Sequence, residues 1–201
     1  MDNPGCKEGY KYWIYTPEIT SQDRQDLILL LKKDDMEKTR SHCIMGRWEN
    51  IYISLNYVPQ VKKILSIAGK LANNILDQQA VIPYRELGYS HDEFWFNIAK
   101  PGQSTAWHDH KEGAVLSGVY YVDVPEQGGN IKFRQKTKGY QKEWSISSKT
   151  GRMVFFPSAL DHAVEKNESN RDRISLAFNF FALPLKSSTD QDDYSTSKYY
   201  G

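Results

Sequence analysis

The strongest constraint on the fold lies in the second half of the sequence, where eight short segments are rich in aromatic and β-branched residues. Such segments predict β-strands, here at residues 94–99, 105–110, 116–124, 130–134, 143–148, 152–156, 162–166 and 173–181. Turn-forming residues separate them, for example Pro101-Gly102 and Gly128-Gly129. Eight strands at this spacing favour an antiparallel jelly roll of two sheets, or a barrel.

The first part of the sequence shows the three-and-four spacing of apolar residues that is typical of helices. One helix is expected after the capping-box pattern Thr20-Ser21-Gln22-Asp23. A longer helix has Pro59 in its first turn and a stripe of apolar residues over four turns. Because such a stripe is normally core packing, we expect this helix to cover one face of the sheet.

These patterns predict a mainly β (α+β) protein with one domain over residues 1–185. Residues 1–91 form its helical support region and residues 92–185 its jelly-roll core. Residues 186–201 contain no aliphatic side chain and are expected to be a polar C-terminal tail. Loops near the mouth of the core, or a lid over it, are expected in the segments near residues 36–57, 77–92 and 135–142.

Charge and composition argue against several classes of protein. The chain carries 26 Lys and Arg against 25 Asp and Glu, so it lacks the basic excess of a typical nucleic-acid binder. The longest apolar run near the N-terminus, residues 27–31, is too short to span a bilayer, and no apolar export signal follows Met1. We therefore expect a cytoplasmic protein without a membrane partner. The sequence allows a homodimer.

Three histidines in the strand region form the pattern with the clearest chemistry. His108 and His110 are two residues apart and would share one face of a strand, while His162 follows about fifty residues later. Neutral imidazole is a good ligand for iron, zinc, copper and nickel. The layout is typical of a mononuclear metal site inside a β-barrel; the alternative is three unrelated histidines.

The last predicted strand separates a polar from an apolar face. Arg173, Ser175 and Asn179 alternate with a continuous apolar set that must pack in a core. An arginine among small residues suits a bidentate contact with a ligand carboxylate, to which Ser175 would add a hydroxyl donor. Alternatively, Arg173 pairs with Asp172 or Glu168 at the surface.

Taken in order, these motifs resemble the iron(II)- and 2-oxoglutarate-dependent oxygenases, in particular a branch related to prolyl hydroxylases and found in marine bacteria and their phages. The similarity covers about residues 92–183. It rests on His-x-His, Leu116 to Val122, Gly128 to Phe133, Gly151 to Pro157, His162 and Arg173-x-Ser175. The resemblance implies a double-stranded β-helix, and a phage-encoded enzyme would act in the host cytoplasm.

The family resemblance also implies roles for individual residues. His108, His110 and His162 would hold Fe(II), leaving positions open for 2-oxoglutarate and O2. Arg173 with Ser175 would bind the distal carboxylate of 2-oxoglutarate. The candidate cofactor-binding residues nearby are Tyr121, for which Tyr120 is the alternative, together with Asn97 and Asn179.

One position departs from the family pattern. The usual motif is His-x-Asp, whereas His110 stands at the carboxylate position here. The resembling phage branch tends to carry His-x-His, so we predict His110 as the ligand. Asp109 remains the alternative, because a local bulge would reverse the side-chain phase.

The reaction implied by the resemblance is hydroxylation coupled to decarboxylation of 2-oxoglutarate. Its substrate is unknown, either a peptidyl side chain or a small molecule. A cupin-type metal-dependent dioxygenase is one alternative, although the glutamate expected shortly after His110 is absent. A non-catalytic jelly-roll binding or structural module, in which the histidines are structural, is the other.

Overall fold

The computed structural model describes residues 6–7, 10–44, 47–110, 113–137 and 139–185, so the predicted tail at 186–201 lies outside the described residues. Two helices precede the strand-rich region, α1 (Ser21–Leu31) and α2 (Gln60–Leu76), and Arg85–Leu87 form one 3₁₀ turn. Helix α1 begins with the predicted capping box, in which the Thr20 hydroxyl accepts from the Asp23 amide. None of the helices described is long and apolar enough to cross a membrane.

The strands in chain order are β1 (Cys6–Lys7), β2 (Tyr10–Lys11), β3 (Trp13–Tyr15), β4 (Thr39–Ile44), β5 (Arg47–Tyr52), β6 (Ala80–Val81), β7 (Phe94–Ala99), β8 (Thr105–His108), β9 (Leu116–Asp123), β10 (Ile131–Thr137), β11 (Tyr140–Ile146), β12 (Met153–Pro157), β13 (Asp161–Val164) and β14 (Arg173–Ala182). Strands β7 to β14 correspond to the eight predicted segments. Their ends differ from the predicted ends by up to three residues.

The strands form two facing antiparallel sheets. The major sheet has the order β3-β12-β9-β14-β7-β5-β4, with β6 paired to β14, and the minor sheet has the order β11-β10-β13-β8. A separate pair, β1 and β2, lies outside both. Apart from the hairpin β10–β11, which lies within the minor sheet, consecutive strands of the core alternate between the sheets, as in a double-stranded β-helix. The predicted fold class is confirmed.

Two apolar cores lie on opposite sides of the major sheet. The outer core joins the helices to the sheet, and α2 contributes the predicted stripe of Val61, Ile64, Leu65, Ala68 and Ala72. The inner core lies between the sheets and consists of Val119, Tyr121, Ile131, Phe133, Ile146, Val154 and Phe156. All candidate site residues except His110 lie on the strands that enclose this inner core.

The region predicted as a helical support is only partly helical. The hairpin β4–β5 occupies most of the segment 36–57, which was expected to form a lid or mouth piece, and β5 pairs with β7 through Ile51 and Phe96. The physical reason is that Ile51 packs against the outer core, and pairing with β7 satisfies backbone groups of β5. The segment 135–142 also differs, since β10 and β11 continue into it as a hairpin.

Candidate functional site

The three candidate metal ligands come from two neighbouring strands and the segment that follows one of them. His108 ends β8 and His162 lies on β13, and the two residues are directly paired across the minor sheet. The strand predicted to reach residue 110 ends at His108, so His110 lies beyond it. Its amide donates to the carbonyl of Ser158 at 2.9 Å, which anchors the backbone at His110.

The imidazoles of His108, His110 and His162 meet at one point. One nitrogen from each ring lies within 4.8 Å of the corresponding nitrogens of the other two. Nδ1 of His108 is 2.9 Å from the Ala106 carbonyl, and Nδ1 of His162 is 2.9 Å from the Leu160 carbonyl. Since a carbonyl can only accept, we infer that Nδ1 carries the proton in both rings and that Nε2 keeps the lone pair for a metal.

Burial keeps two of the three imidazoles neutral. Desolvation, and then the neighbouring His108, lower the pKa of His110 from 6.5 to about 4. Desolvation and the other two histidines also lower the pKa of His162, whose ring centroid lies 4.7 Å from that of Phe156. Two ring nitrogens that are unprotonated at neutral pH can bind a divalent cation without first losing protons. Three imidazole nitrogen donors suit Fe(II), Zn(II) and similar ions, so the residues present fit the predicted metal.

A buried polar network lies behind the segment that carries His110. The Ser117 hydroxyl is 2.8 Å from Oδ1 of Asn179 and 2.9 Å from the hydroxyl of Ser158, whose carbonyl accepts from the His110 amide. Asn179 in turn donates to the carboxylate of Glu93 at 3.1 Å. The predicted Asn179 therefore supports the backbone at His110 through two serines, which the sequence reading had not singled out.

Arg173 is buried on the inner side of β14. Arg173 is only 1% exposed, which argues against the surface ion pair with Asp172 or Glu168. Nη1 donates to the carbonyls of Gly128 and Glu165, at 3.1 and 3.4 Å. In the described part of the chain, no carboxylate lies within ion-pair distance of this guanidinium. Burial lowers the pKa of Arg173 to about 10, so the group remains a cation at neutral pH.

The close approach of two backbone segments fixes the carbonyls that hold Arg173. Gly129 has φ of +87°, and a Cβ at this position would lie 2.5 Å from the carbonyl oxygen of Glu165. Only glycine fits here without displacing that oxygen, which is one of the two acceptors of Arg173. The Gly128-Gly129 turn predicted from the sequence therefore also positions the guanidinium.

Three further predicted residues form a row across the inner side of the major sheet. Ser175 on β14 pairs with Asn97 on β7 and with Tyr121 on β9. Tyr121 belongs to the inner core, whereas Tyr120 packs in the outer core beside the helices. Burial raises the pKa of Tyr121, against the opposing effects of Ser148 and the Arg173 cation, so its phenol stays protonated. Of the two tyrosines, Tyr121 is the one that shares the inner space with Arg173.

The site also contains a residue that the sequence reading missed. Arg47 on β5 donates to Oδ1 of Asn97 and, at 2.6 Å, to the carbonyl of Ser104 just before β8. Its guanidinium thus bridges the two sheets between strands β7 and β8. The aromatic and β-branched residues Trp48, Ile51 and Tyr52, in a short segment that follows a glycine, were the available signal for the strand that carries it.

Comparisons with known proteins give one family and one fold. Residues 93–179 match the family model described as "Putative 2OG-Fe(II) oxygenase". This range includes all eight predicted site residues, namely Asn97, His108, His110, Tyr121, His162, Arg173, Ser175 and Asn179. No curated protein matches the chain.

Solved structures share the fold at low sequence identity. SnoK, a non-heme alpha-ketoglutarate-dependent carbocyclase of nogalamycin biosynthesis, is 13% identical with a TM-score of 0.64, and the alignment covers 92% of this chain and 86% of SnoK. The epimerase SnoN in complex with Fe3+, alpha-ketoglutarate and nogalamycin RO is 12% identical with a TM-score of 0.62, covering 92% and 86%. A Pseudomonas putida prolyl-4-hydroxylase is 17% identical with a TM-score of 0.58, covering 87% and 94%.

At these identities the structural similarity establishes the fold, and the three enzymes differ in the reaction named for each. The family match supplies what the fold alone does not, because it covers the histidine cluster and the strand of Arg173. Neither the cupin nor the non-catalytic module accounts for this match. The matched region, residues 93–179, which includes the histidine cluster and Arg173, is that of the 2OG-Fe(II) oxygenases, enzymes that use Fe(II) and 2-oxoglutarate.

Proposed function

We propose that the protein is an Fe(II)- and 2-oxoglutarate-dependent hydroxylase in which His108, His110 and His162 bind the metal. The observation that carries this proposal is the convergence of three ring nitrogens within 4.8 Å of one another. Two of the rings have their second nitrogen held by a backbone carbonyl, which orients the free nitrogen toward the cluster. Asp109 is not part of this group, which supports His110 as the second ligand.

Arg173 is the proposed contact for the distal carboxylate of 2-oxoglutarate. A buried cation with only neutral carbonyl partners is poorly compensated, and a ligand carboxylate would supply the missing charge. Its planar fork can donate two parallel hydrogen bonds to such a group. Ser175 and the protonated phenol of Tyr121 are the neighbouring donors from the same inner row.

The net reaction consumes one 2-oxoglutarate, one O2 and one substrate C–H bond, and releases succinate, CO2 and a hydroxylated product. The bound iron would supply the activation of oxygen, and the protein would supply orientation and a desolvated site. We propose a peptidyl side chain as the first substrate class to test, on the basis of the fold shared with the Pseudomonas putida prolyl-4-hydroxylase. A small-molecule substrate is the alternative.

The direct test is an anaerobic titration of the purified protein with Fe(II) and then 2-oxoglutarate, followed by addition of O2. We expect one metal per chain, 2-oxoglutarate binding that depends on the metal, and slow formation of succinate without added substrate. A peptide library should then yield products that are heavier by one oxygen atom. Absence of both metal binding and succinate would refute the proposal.

A variant of Arg173 separates co-substrate binding from metal binding. Arg173→Ala should weaken 2-oxoglutarate binding by about 10- to 100-fold, the loss expected for a charge-assisted contact, and leave the metal content unchanged. Arg171→Ala is the matched control, because this exposed arginine pairs with Asp123 outside the site. Equal loss of metal and 2-oxoglutarate in Arg173→Ala would indicate misfolding and contradict the assigned role.

A further inference from the structure

Arg47 is a buried cation that enters the inner space from the N-terminal hairpin. Its side chain is only 8% exposed. Nη2 donates to Asn97, and Nη1 reaches the Ser104 carbonyl at 2.6 Å and the Thr105 hydroxyl at 3.4 Å. Nη1 also lies 3.3 Å from the carboxylate of Glu49. Both terminal nitrogens are therefore held in place by the two sheets and by the hairpin itself.

The third nitrogen of this guanidinium is different. Nε of Arg47 is buried and has no hydrogen-bond partner among the described residues. Buried donors in folded proteins are almost always paired, and an unpaired one is unfavourable. The fixed Nη contacts hold the N–H of Nε in one direction. Nε is therefore a buried donor without an acceptor among the described residues, and a group that binds from outside the chain could supply one.

The charge around Arg47 indicates what kind of group this is. Burial is the main cause of the lowered pKa of Arg173, and the positive charge of Arg47 adds to it, so the two guanidinium groups share one region of the protein. The described residues supply one carboxylate within ion-pair distance of this pair of cations, that of Glu49. Two buried cations with one anion leave an excess positive charge in a region of low dielectric, which an incoming carboxylate would neutralise.

Strand register indicates which end of 2-oxoglutarate Arg47 would meet. Asn97, which accepts from Arg47, is directly paired with Ser175. Ser175 is two residues from Arg173 on the same face of β14, so Arg47 approaches the inner row at the end proposed for the distal carboxylate. His108 and His162 belong to the other sheet, and the hydrogen bonds and ion pair of Arg47 among the described residues go to Asn97, Ser104, Thr105 and Glu49 and not to the histidines.

We propose that Arg47 is a further 2-oxoglutarate-binding residue, whose Nε–H donates to the distal carboxylate beside Arg173. This inference rests on the proposed function and adds to it a contact from the hairpin β4–β5. It gives that hairpin a role in co-substrate binding, since the hairpin supplies one side of the carboxylate pocket. The jelly-roll strands would then form the pocket only together with the N-terminal region.

The test compares two ligands on the anaerobic Fe(II)-loaded protein by titration calorimetry. 2-Oxoglutarate has the distal carboxylate, whereas 2-oxopentanoate keeps the metal-binding end and has a methyl group in its place. Arg47→Met should weaken 2-oxoglutarate binding by about 10- to 100-fold and leave 2-oxopentanoate binding within about twofold. Arg47→Lys, which keeps the charge but lacks the Nε–H, should fall between Arg47→Met and the wild type.

Arg40→Met is the matched control, because Arg40 is exposed on the same hairpin. It should bind both ligands like the wild type, and the melting temperatures of all apo variants should be recorded alongside. Unchanged 2-oxoglutarate binding in Arg47→Met would overturn the inference, as would equal weakening of both ligands. Wild-type affinity in Arg47→Lys would overturn the role of Nε. If the wild type itself bound no 2-oxoglutarate, the proposed function would fail first.

Discussion

The two faces of strand β14 are both buried, yet they differ completely in chemistry. On the outer face Ile174, Leu176, Phe178 and Phe180 are at most 3% exposed and pack against the helices. On the inner face Arg173, Ser175 and Asn179 are at most 7% exposed and contact polar groups. One strand therefore carries a continuous apolar surface and a row of buried polar side chains, separated only by the alternation of the pleat.

This difference shows that burial serves two purposes in the molecule. Apolar burial on the outer face stabilises the fold in proportion to the area removed from water. Burial of an arginine, a serine and an asparagine adds much less to the stability of the fold. Each of these side chains loses its hydrogen bonds to water, and only specific partners in the protein replace them. We therefore expect outer-face substitutions to reduce the free energy of unfolding, and substitutions in the inner site to reduce ligand binding. The predictions below test that separation.

The largest effect is expected for loss of a proposed metal ligand. His108→Ala should reduce Fe(II) affinity by more than about 100-fold, because removal of a direct ligand should exceed the 10- to 100-fold typical of supporting residues. His108 is exposed, so the substitution should change the free energy of unfolding of the apo protein only slightly. Metal content after dialysis and anaerobic titration measure the first quantity, and urea unfolding of the apo protein measures the second.

His91→Ala provides the control for that experiment. His91 is half-buried and its Nε2 is 3.1 Å from the Glu93 carboxylate, outside the three-histidine cluster. Its loss should leave Fe(II) affinity within about threefold of the wild type. If His91→Ala and His108→Ala reduced metal binding to the same degree, the metal would not be held at the cluster as proposed.

The opposite behaviour is expected on the outer face. Phe178 is fully buried, with ring centroids 5.9 Å from Phe155 and 5.7 Å from Phe180. Phe178→Ala should lower the free energy of unfolding by about 3–5 kcal/mol, the range for truncating a buried phenylalanine. The fraction that remains folded should bind Fe(II) with wild-type affinity. A weaker Fe(II) affinity in the folded fraction of Phe178→Ala would show that the two faces are coupled.

The histidine cluster makes the stability of the apo protein depend on pH. The folded pKa of His110 is about 4 against 6.5 for a free side chain, so the unfolded state binds more protons between these values. Stability is therefore fully present above pH 6.5 and decreases as the pH falls, by at most about 1.4 kcal/mol per pH unit for each such histidine. His162, whose pKa is also lowered, acts in the same direction.

Urea unfolding of the apo protein at several values between pH 7 and 5 measures this dependence. His110→Asn serves as the comparison, because it removes one titrating group and leaves the surface carboxylates in place. Its unfolding free energy should fall less steeply with decreasing pH than that of the wild type. Identical slopes in the two proteins would mean that His110 is not desolvated in the folded apo state.

The strand that carries both faces was predictable, because its alternation of polar and apolar residues is a local property of the sequence. The convergence of His108 and His162 was predicted on a different ground, namely a spacing of histidines that is typical of a metal site inside a β-barrel, and the structure pairs the two residues. Strand ends were less predictable, since β8 ends at His108 and the position of His110 depends on the Ser158 carbonyl from a distant segment. A contact between residues about fifty positions apart leaves no local pattern.

Arg47 shows the limit most clearly. The segment that carries it, residues 36–57, was expected to form a lid or mouth piece. The pairing of β5 left no local pattern, because its partner β7 lies more than forty residues further along the chain. The hydrogen bonds from Arg47 to Asn97 and Ser104 can be predicted only when the register of β5 against β7 is known. The carbonyls that hold Arg173 likewise depend on the close approach of Gly129 and Glu165, which the Gly-Gly turn alone does not specify.

The smallest of these effects tests how tightly the outer face is packed. Gly118 on β9 pairs with Phe178 on β14, and a Cβ added at Gly118 would lie 2.2 Å from the Phe178 ring. Because the ring must move, Gly118→Ala should lower the free energy of unfolding by about 1–3 kcal/mol. The double variant with Phe178→Leu should recover part of this loss, since a smaller side chain leaves space for the methyl group. Fully additive losses in urea unfolding would mean that the ring of Phe178 does not require glycine at position 118.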